Sequence, residues 1–182
     1  SNGGFYDYYT HGGSTNDGSL VVVGQTDGKI QVIGHPAGVG RLSGLAFGLD
    51  GTLYGATQGG AGGPPPPSEP SNLIRIDPDT GALISSVVIT DVALGIAINI
   101  ADLAVQPGTG TLFGIARNNA SGLGGGKLFT INTATGAATL VGDTGAFFGS
   151  IAFAPNGTLY MSWGNFTGSV IRFKTLDPAT SF

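Results

Sequence analysis

The feature that most constrains this chain is a repeat. The stretch Lys127–Ser162, KLFTINTATGAATLVGDTGAFFGSIAFAPNGTLYMS, holds one full period. Leu128–Ile131 is a short run of apolar, aromatic and β-branched residues. Asn132–Gly136 is a turn cluster and Ala137–Val141 a second run, so the pair reads as a hairpin. Phe148–Ala154 is a third run. Pro155-Asn156-Gly157 follows as a tight turn, in which Asn-Gly supplies the positive φ of a two-residue hairpin. Thr158–Ser162 is the fourth run. Four short strands joined by tight turns at a fixed period mark a repeat architecture.

Copies of both halves recur. Leu73-Ile-Arg-Ile76, Asp77-Pro-Asp-Thr-Gly81 matches Leu128–Gly136. Leu20–Val23, Asp27-Gly28 and Ile30–Gly34 form a worn copy. Val170–Phe173 with Asp177–Thr180 begins another. Gly44-Leu-Ala-Phe47, Asp50-Gly-Thr-Leu-Tyr54 matches Ser150–Phe153, Asn156–Tyr160, and Asp102–Val105 with Gly110–Phe113 matches both. The period is about 45–55 residues, the range of propeller blades.

The pair G-L-A-F-x-x-D-G-T-L-Y and L-I-R-I-D-P-D-T-G resembles the blade of NHL-type β-propellers. It resembles still more the propeller-like repeats of exported bacterial proteins of unknown function. The resemblance covers roughly residues 19–180. It implies an all-β fold, a β-propeller-like array of about four blades in one domain, residues 1–182, with blades at approximately 1–34, 42–90, 100–142 and 149–182. It says almost nothing of activity, because propellers host many functions.

The first and last blades are expected to be incomplete. Phe5–Thr10 takes the place of a second strand whose first strand is missing, and the blade from Gly149 has three strands and no fourth. Three arrangements remain open: a compact four-bladed ring, an arc of a larger propeller, or open strands that pair with neighbouring subunits, since an unpaired edge is a template for strand addition. Subunit contacts are then expected at Phe5, Tyr6, Tyr8 and Tyr9 and at Ile171, Phe173 and Phe182. Packing within the protomer is the plain alternative for the aromatic run, because aromatics are good strand formers.

Composition narrows the function. Charged residues make up 10% of the chain, the net charge is −4 and there are seven basic residues in all. No basic cluster exists to neutralise phosphates, which excludes nucleic acid as an expected partner and disfavours anionic membranes. No run of eighteen apolar residues is present, so no membrane insertion is expected. There is no cysteine, hence no disulfide, thiolate chemistry or Cys–zinc site. Low charge, abundant Thr, Ser, Gly and Asn, and a single glutamate, Glu69, suit a secreted or cell-surface protein. Candidate glycosylation triplets stand at Asn119, Asn156 and Asn165.

The short turns fall between first and second and between third and fourth strands. The long loops, Thr10–Gly18, Gln58–Ser71, Arg117–Gly126 and Gly164–Gly168, all fall between second and third strands. One face should carry every long loop, and loops on a rigid scaffold are where binding sits. The candidates there are His11, Glu69, Arg117, Asn118, Trp163 and Asn165, against spacer or packing roles for the same loops.

Catalytic patterns are missing. Asp77-Pro-Asp79-Thr-Gly81 starts like a calcium loop, but no late acidic ligand follows and the equivalent turn Asn132–Gly136 lacks the acids, so it reads as a turn. His11 and His35 show no metal-ligand spacing. There is no G-x-S-x-G. Gly122–Gly126 is followed by Lys127-Leu128 and opens a strand, which is not a phosphate loop. No cofactor, metal or catalytic residue is assigned. The expectation is a non-catalytic extracellular structural or adhesive protein that assembles with itself through open blade edges, as a filament, surface layer or matrix. The alternative is a module on the long-loop face that binds glycans or another ligand. A propeller hydrolase or lyase is third, because such sites cluster acids, Asn and His at the channel.

Overall fold

The computed structural model describes residues 5–10, 18–58, 70–117, 126–146, 149–164 and 171–181. Their secondary structure is all β, with no helix among them. Blade one is the three-stranded antiparallel sheet β1 (Phe5–Thr10), β2 (Gly18–Val23) and β3 (Ile30–Gly34). Blade two has four strands, β4 (Leu42–Phe47), β5 (Leu53–Thr57), β6 (Asn72–Ile76) and β7 (Leu83–Val88). A two-residue pair, β8 (Thr90–Asp91) and β9 (Ile96–Ala97), follows. Blade three is β10 (Ile100–Val105), β11 (Leu112–Ala116), β12 (Lys127–Ile131) and β13 (Ala137–Asp143). Blade four has three strands, β14 (Gly149–Phe153), β15 (Leu159–Gly164) and β16 (Ile171–Leu176). The fold is a β-propeller-like array of four blades whose first and last are incomplete, as the repeat predicts.

The turns form for local reasons. Asp50 Oδ1 accepts the Thr52 N–H at 3.0 Å, and its Oδ2 accepts the Thr52 hydroxyl at 2.9 Å. Asn156 Oδ1 accepts the Thr158 N–H at 3.0 Å in the matching turn of blade four. Asp77 Oδ1 accepts the N–H groups of Asp79 and Thr80 at 2.9 and 3.1 Å. Asn132 does the same for Ala134 and Thr135 at 3.0 and 3.1 Å. An uncharged amide does the work of the Asp77 carboxylate, so the D-P-D-T-G segment is a capped turn.

Alternation along each strand sends one set of side chains to the preceding blade and the other to the following blade. Between blades one and two lie Leu20, Val39, Leu53, Ile74 and Ile76, with Tyr6 and Tyr8 against them. Between blades two and three lie Tyr54, Leu73, Leu103, Leu112, Phe129 and Ile131. Between blades three and four lie Phe113, Ile115, Leu128, Ile151, Leu159 and Met161. The inner strands β4, β10 and β14 pack side by side. Four blades in a closed ring require four such cores; the described residues form three, and no core joins blade four to blade one. Of the three arrangements left open by the sequence, the described residues do not form the closed four-bladed ring, and their first and last blades stand open.

Two features depart from the repeat taken alone. Residues 91–97, which fall between the blades at 42–90 and 100–142, form a small hairpin that extends blade three. β8 pairs in parallel with β13, through Ala137 with Thr90 and Ala138 with Asp91. The Asp91 carboxylate caps the turn by accepting the N–H of Ala93 at 2.9 Å, and Gly95 closes it at φ +65°. The second concerns blade four. Val170–Phe173 was matched to Leu73–Ile76 by residue type, but Leu159 pairs with Leu176 as Leu53 pairs with Ile76. The true equivalent of Leu73–Ile76 is therefore Phe173–Leu176, three residues on.

Candidate functional site

The loop face is only partly described. His11, Glu69, Asn118, Asn119, Asn165 and Phe182 lie outside the described residues. Arg117 leaves β11 half-buried, and its N–H donates to the Asn99 carbonyl at 2.8 Å. Asn156 is exposed at the turn between β14 and β15, on the opposite side from the loops.

Trp163 is the loop-face candidate with a developed environment. It sits near the end of β15 and packs against the core between blades three and four. Lys174, at a position held by Ile74 in blade two and Phe129 in blade three, would be a charge in that core. Its Nζ escapes by donating to the Thr144 carbonyl at 2.7 Å and lies 6.0 Å from the centre of the Trp163 ring. Beside Trp163 is an open groove of about 300 Å³ lined by Gly149, Ser150, Ser162, Gly164 and Ile171. The hydroxyls of Ser150 and Ser162 share a hydrogen bond of 2.8 Å across the strand pair. Those hydroxyls and the Ile171 side chain are what the groove offers a neutral polar ligand such as a sugar, while Trp163, one residue on from Ser162, turns its ring to the core between blades three and four.

The aromatic run of β1 divides by strand alternation. Tyr6 meets Phe47 edge to face at 4.9 Å, and the Tyr8 hydroxyl donates to the Val39 carbonyl at 2.7 Å. Burial pushes the Tyr8 phenol up to about 12. Both pack against the core between blades one and two, the plain alternative that the sequence left open for the aromatic run. Phe5, Ile171 and Phe173 are exposed. Tyr9 lies in β1, and its side chain falls outside the described set.

One titratable group on the inner strands gains its role only in the structure. Asp102 stands on β10, where blades two and four carry Gly44 and Ser150. Its Oδ2 accepts the Ile151 N–H of the next blade at 2.9 Å, and its Oδ1 accepts the Leu103 N–H at 2.9 Å. Burial pushes its carboxyl up to about 6 against the pull of those two donors. On the other side β4 approaches so closely that a methyl at Gly44 would lie 2.7 Å from Leu103 N. Asp102 therefore clips one inner strand to the next. Among the described residues no group of three His, Cys, Asp or Glu side chains comes together.

A family model described as a repeat of unknown function, DUF6923, matches residues 6–182. No curated protein sequence matches the chain. Among solved structures, the GH43_1 enzyme from Xanthomonas citri aligns with a TM-score of 0.58 at 13% identity, over 97% of this chain and 67% of that one. Hydrazine synthase from Kuenenia stuttgartiensis aligns at 0.56 and 16% identity, over 90% and 41%. A protein titled a putative gluconolactonase aligns at 0.54 and 15%, over 90% and 54%. The chain spans about half the length of the last two. These likenesses are of fold alone.

Proposed function

The chain belongs to the DUF6923 family, repeats of unknown function, and on that premise we propose that it is a non-catalytic structural module that works outside the cell and assembles with copies of itself through its open blade ends. The observation that carries this reading is that the described residues of four blades form three inter-blade cores. An arc of blades leaves apolar sheet surface at both ends, and large exposed apolar surface marks an interaction site. The carboxylate on the described inner strands, Asp102, is committed to two backbone N–H groups, which suits a structural role. We read the blades as NHL-like, from the G-L-A-F and L-I-R-I-D-P-D-T-G segments. Export is supported by the low charge and the richness in small polar residues.

Light scattering with negative-stain imaging of the chain across a concentration series tests the assembly reading. Discrete oligomers, filaments or sheets are expected. A single-chain mass at every concentration overturns it. The Trp163 groove favours a second reading, glycan binding, in which sugar binding is present in the parent chain and lost in Trp163→Ala while Phe5→Ala retains it.

A further inference from the structure

We propose that the assembling surfaces are sheet faces rather than strand edges: the outward face of blade four in one copy stacks on the outward face of blade one in a second copy, head to tail. This rests on the assembly reading above and names its interface.

The argument is an equivalence of positions. In each blade a turn of constant length ends in a residue at positive φ: Gly28 at +65°, Gly81 at +72°, Gly136 at +74° and Ser181 at +67°. The third strand ends five residues earlier, at Val23, Ile76, Ile131 and Leu176. Those four residues pair with Phe5, Leu53, Leu112 and Leu159. Leu53, Leu112 and Leu159 are each buried against the preceding blade. Phe5, in the same position of blade one, is 65% exposed. Val21, buried, and Val23, half-buried, lie on that face beside it, and Ile30 and Val32 of β3 continue it, both exposed.

Blade four shows the converse. Tyr54 and Leu73 of blade two, and Phe113 and Leu128 of blade three, point at the following blade and are buried by it. Their equivalents in blade four are Tyr160, 47% exposed, and Phe173, 75% exposed. Ile171 extends the same face toward the loop side.

A third position agrees. The closing residue of each turn presses on the outer strand of the blade before it. A methyl on Gly81 would meet the backbone of Gly34, one on Gly136 would meet the Val88 carbonyl, and Ser181 lies against Gly142. A methyl on Gly28 would meet nothing within 4 Å among the described residues. Blade one thus presents the preceding-type half of a contact the chain already uses three times, and blade four the following-type half. The two halves sit at opposite ends of one chain, so a second copy supplies the complement of each. Such a contact is heterologous: it closes into a ring or runs on as a filament according to the rotation it imposes. Asp7 is the charged side chain on the blade-one face among the described residues, and its Oδ1 accepts the N–H of Tyr8 at 2.7 Å.

Two single-face variants test the proposal. Phe5→Asp blocks the head and Phe173→Asp blocks the tail. Both sites are exposed, so circular dichroism and melting should match the parent. Each variant alone should raise the concentration needed for assembly by about tenfold or more, as loss of an aromatic anchor does at an interface, while Leu94→Ser, exposed on the β8–β9 turn, should leave it unchanged. Mixed in equal amounts, the two variants should form a dimer that grows no further, because one free head meets one free tail. An equal mixture that stays monomeric overturns the inference. If the parent assembles and both variants assemble as well as it does, the faces are not the interface, yet assembly itself stands. If the parent never assembles, the assembly reading fails with it.

Discussion

The turn that follows the third-strand position is built alike in all four blades, yet the inner two and the outer two differ in what surrounds them. In blades two and three the closing glycines, Gly81 and Gly136, do two jobs. Each adopts φ above +70°, and each lets the chain touch the outer strand of the preceding blade. In blade one Gly28 does only the first, since an added methyl there meets no described residue within 4 Å. In blade four the second persists, but Ser181 has replaced the glycine. Local sequence makes the turn, and the neighbouring blade decides how much the glycine is worth.

Substitution breaks this comparison most sharply at the inner turns. In Gly81→Ala the added methyl would lie 2.7 Å from Gly34 Cα, backbone against backbone, and in Gly136→Ala it would run into the Val88 carbonyl. Left-handed strain and overpacking add here, so a loss of about 3 kcal/mol or more in chemical denaturation is expected. The same change at Gly28 incurs strain only, and about 1 kcal/mol is expected. Equal losses at Gly28 and Gly81 would mean that the docking of turn on outer strand contributes nothing.

The inner strands offer a second version of the comparison. Equivalent positions carry Gly44, Asp102 and Ser150, and only one of them titrates. The Asp102 carboxyl is held at about 6, above its ordinary value, because burial penalises the charged form. The folded chain therefore binds this proton more tightly than the unfolded chain. The stability it contributes is full below about pH 4 and is lost as pH rises through about 6, on the order of 3 kcal/mol. The exposed carboxylates behave in the opposite sense. Asp50 is held down by the N–H and hydroxyl of Thr52, and Asp77 by the N–H groups of Asp79 and Thr80, so their contributions fade only in more acid solution. Melting between pH 4.5 and 7 should show the parent losing stability as pH rises, and Asp102→Asn should flatten that slope. An unchanged slope in the variant would assign the titration elsewhere.

Much of this was legible in the sequence because it is local. Asn156-Gly157, Asp50-Gly51 and Asp77–Gly81 each carry their turn in their own side chains and glycines, and the apolar runs between them have the strand period. What was hidden is non-local. The two-residue strands β8 and β9 are too short to signal themselves and exist by pairing with β13 of the next blade. The role of Asp102 could not be read from the sequence because its partner, the Ile151 N–H, is 49 residues away. Val170–Phe173 looked like Leu73–Ile76 because residue type was allowed to outrank the distance to the turn. The loop-face candidates were chosen as long-loop polar residues, and of them Trp163 alone is described in a groove.

Ser181 supplies the finest test of the outer turns. It is the one non-glycine at positive φ among the described residues, at +67°, and its buried Oγ has no hydrogen-bond partner there. Both the backbone strain and the unsatisfied hydroxyl are removed in Ser181→Gly. Against this stands the greater freedom of glycine in the unfolded chain, so the net gain should be about 1 kcal/mol or less. The contact with Gly142 sets the sign. If the Ser181 side chain is merely tolerated against blade three, the variant melts higher. If it melts lower, the hydroxyl is part of the joint between blades three and four, and the fourth turn is held by its side chain where the second and third are held by their backbone.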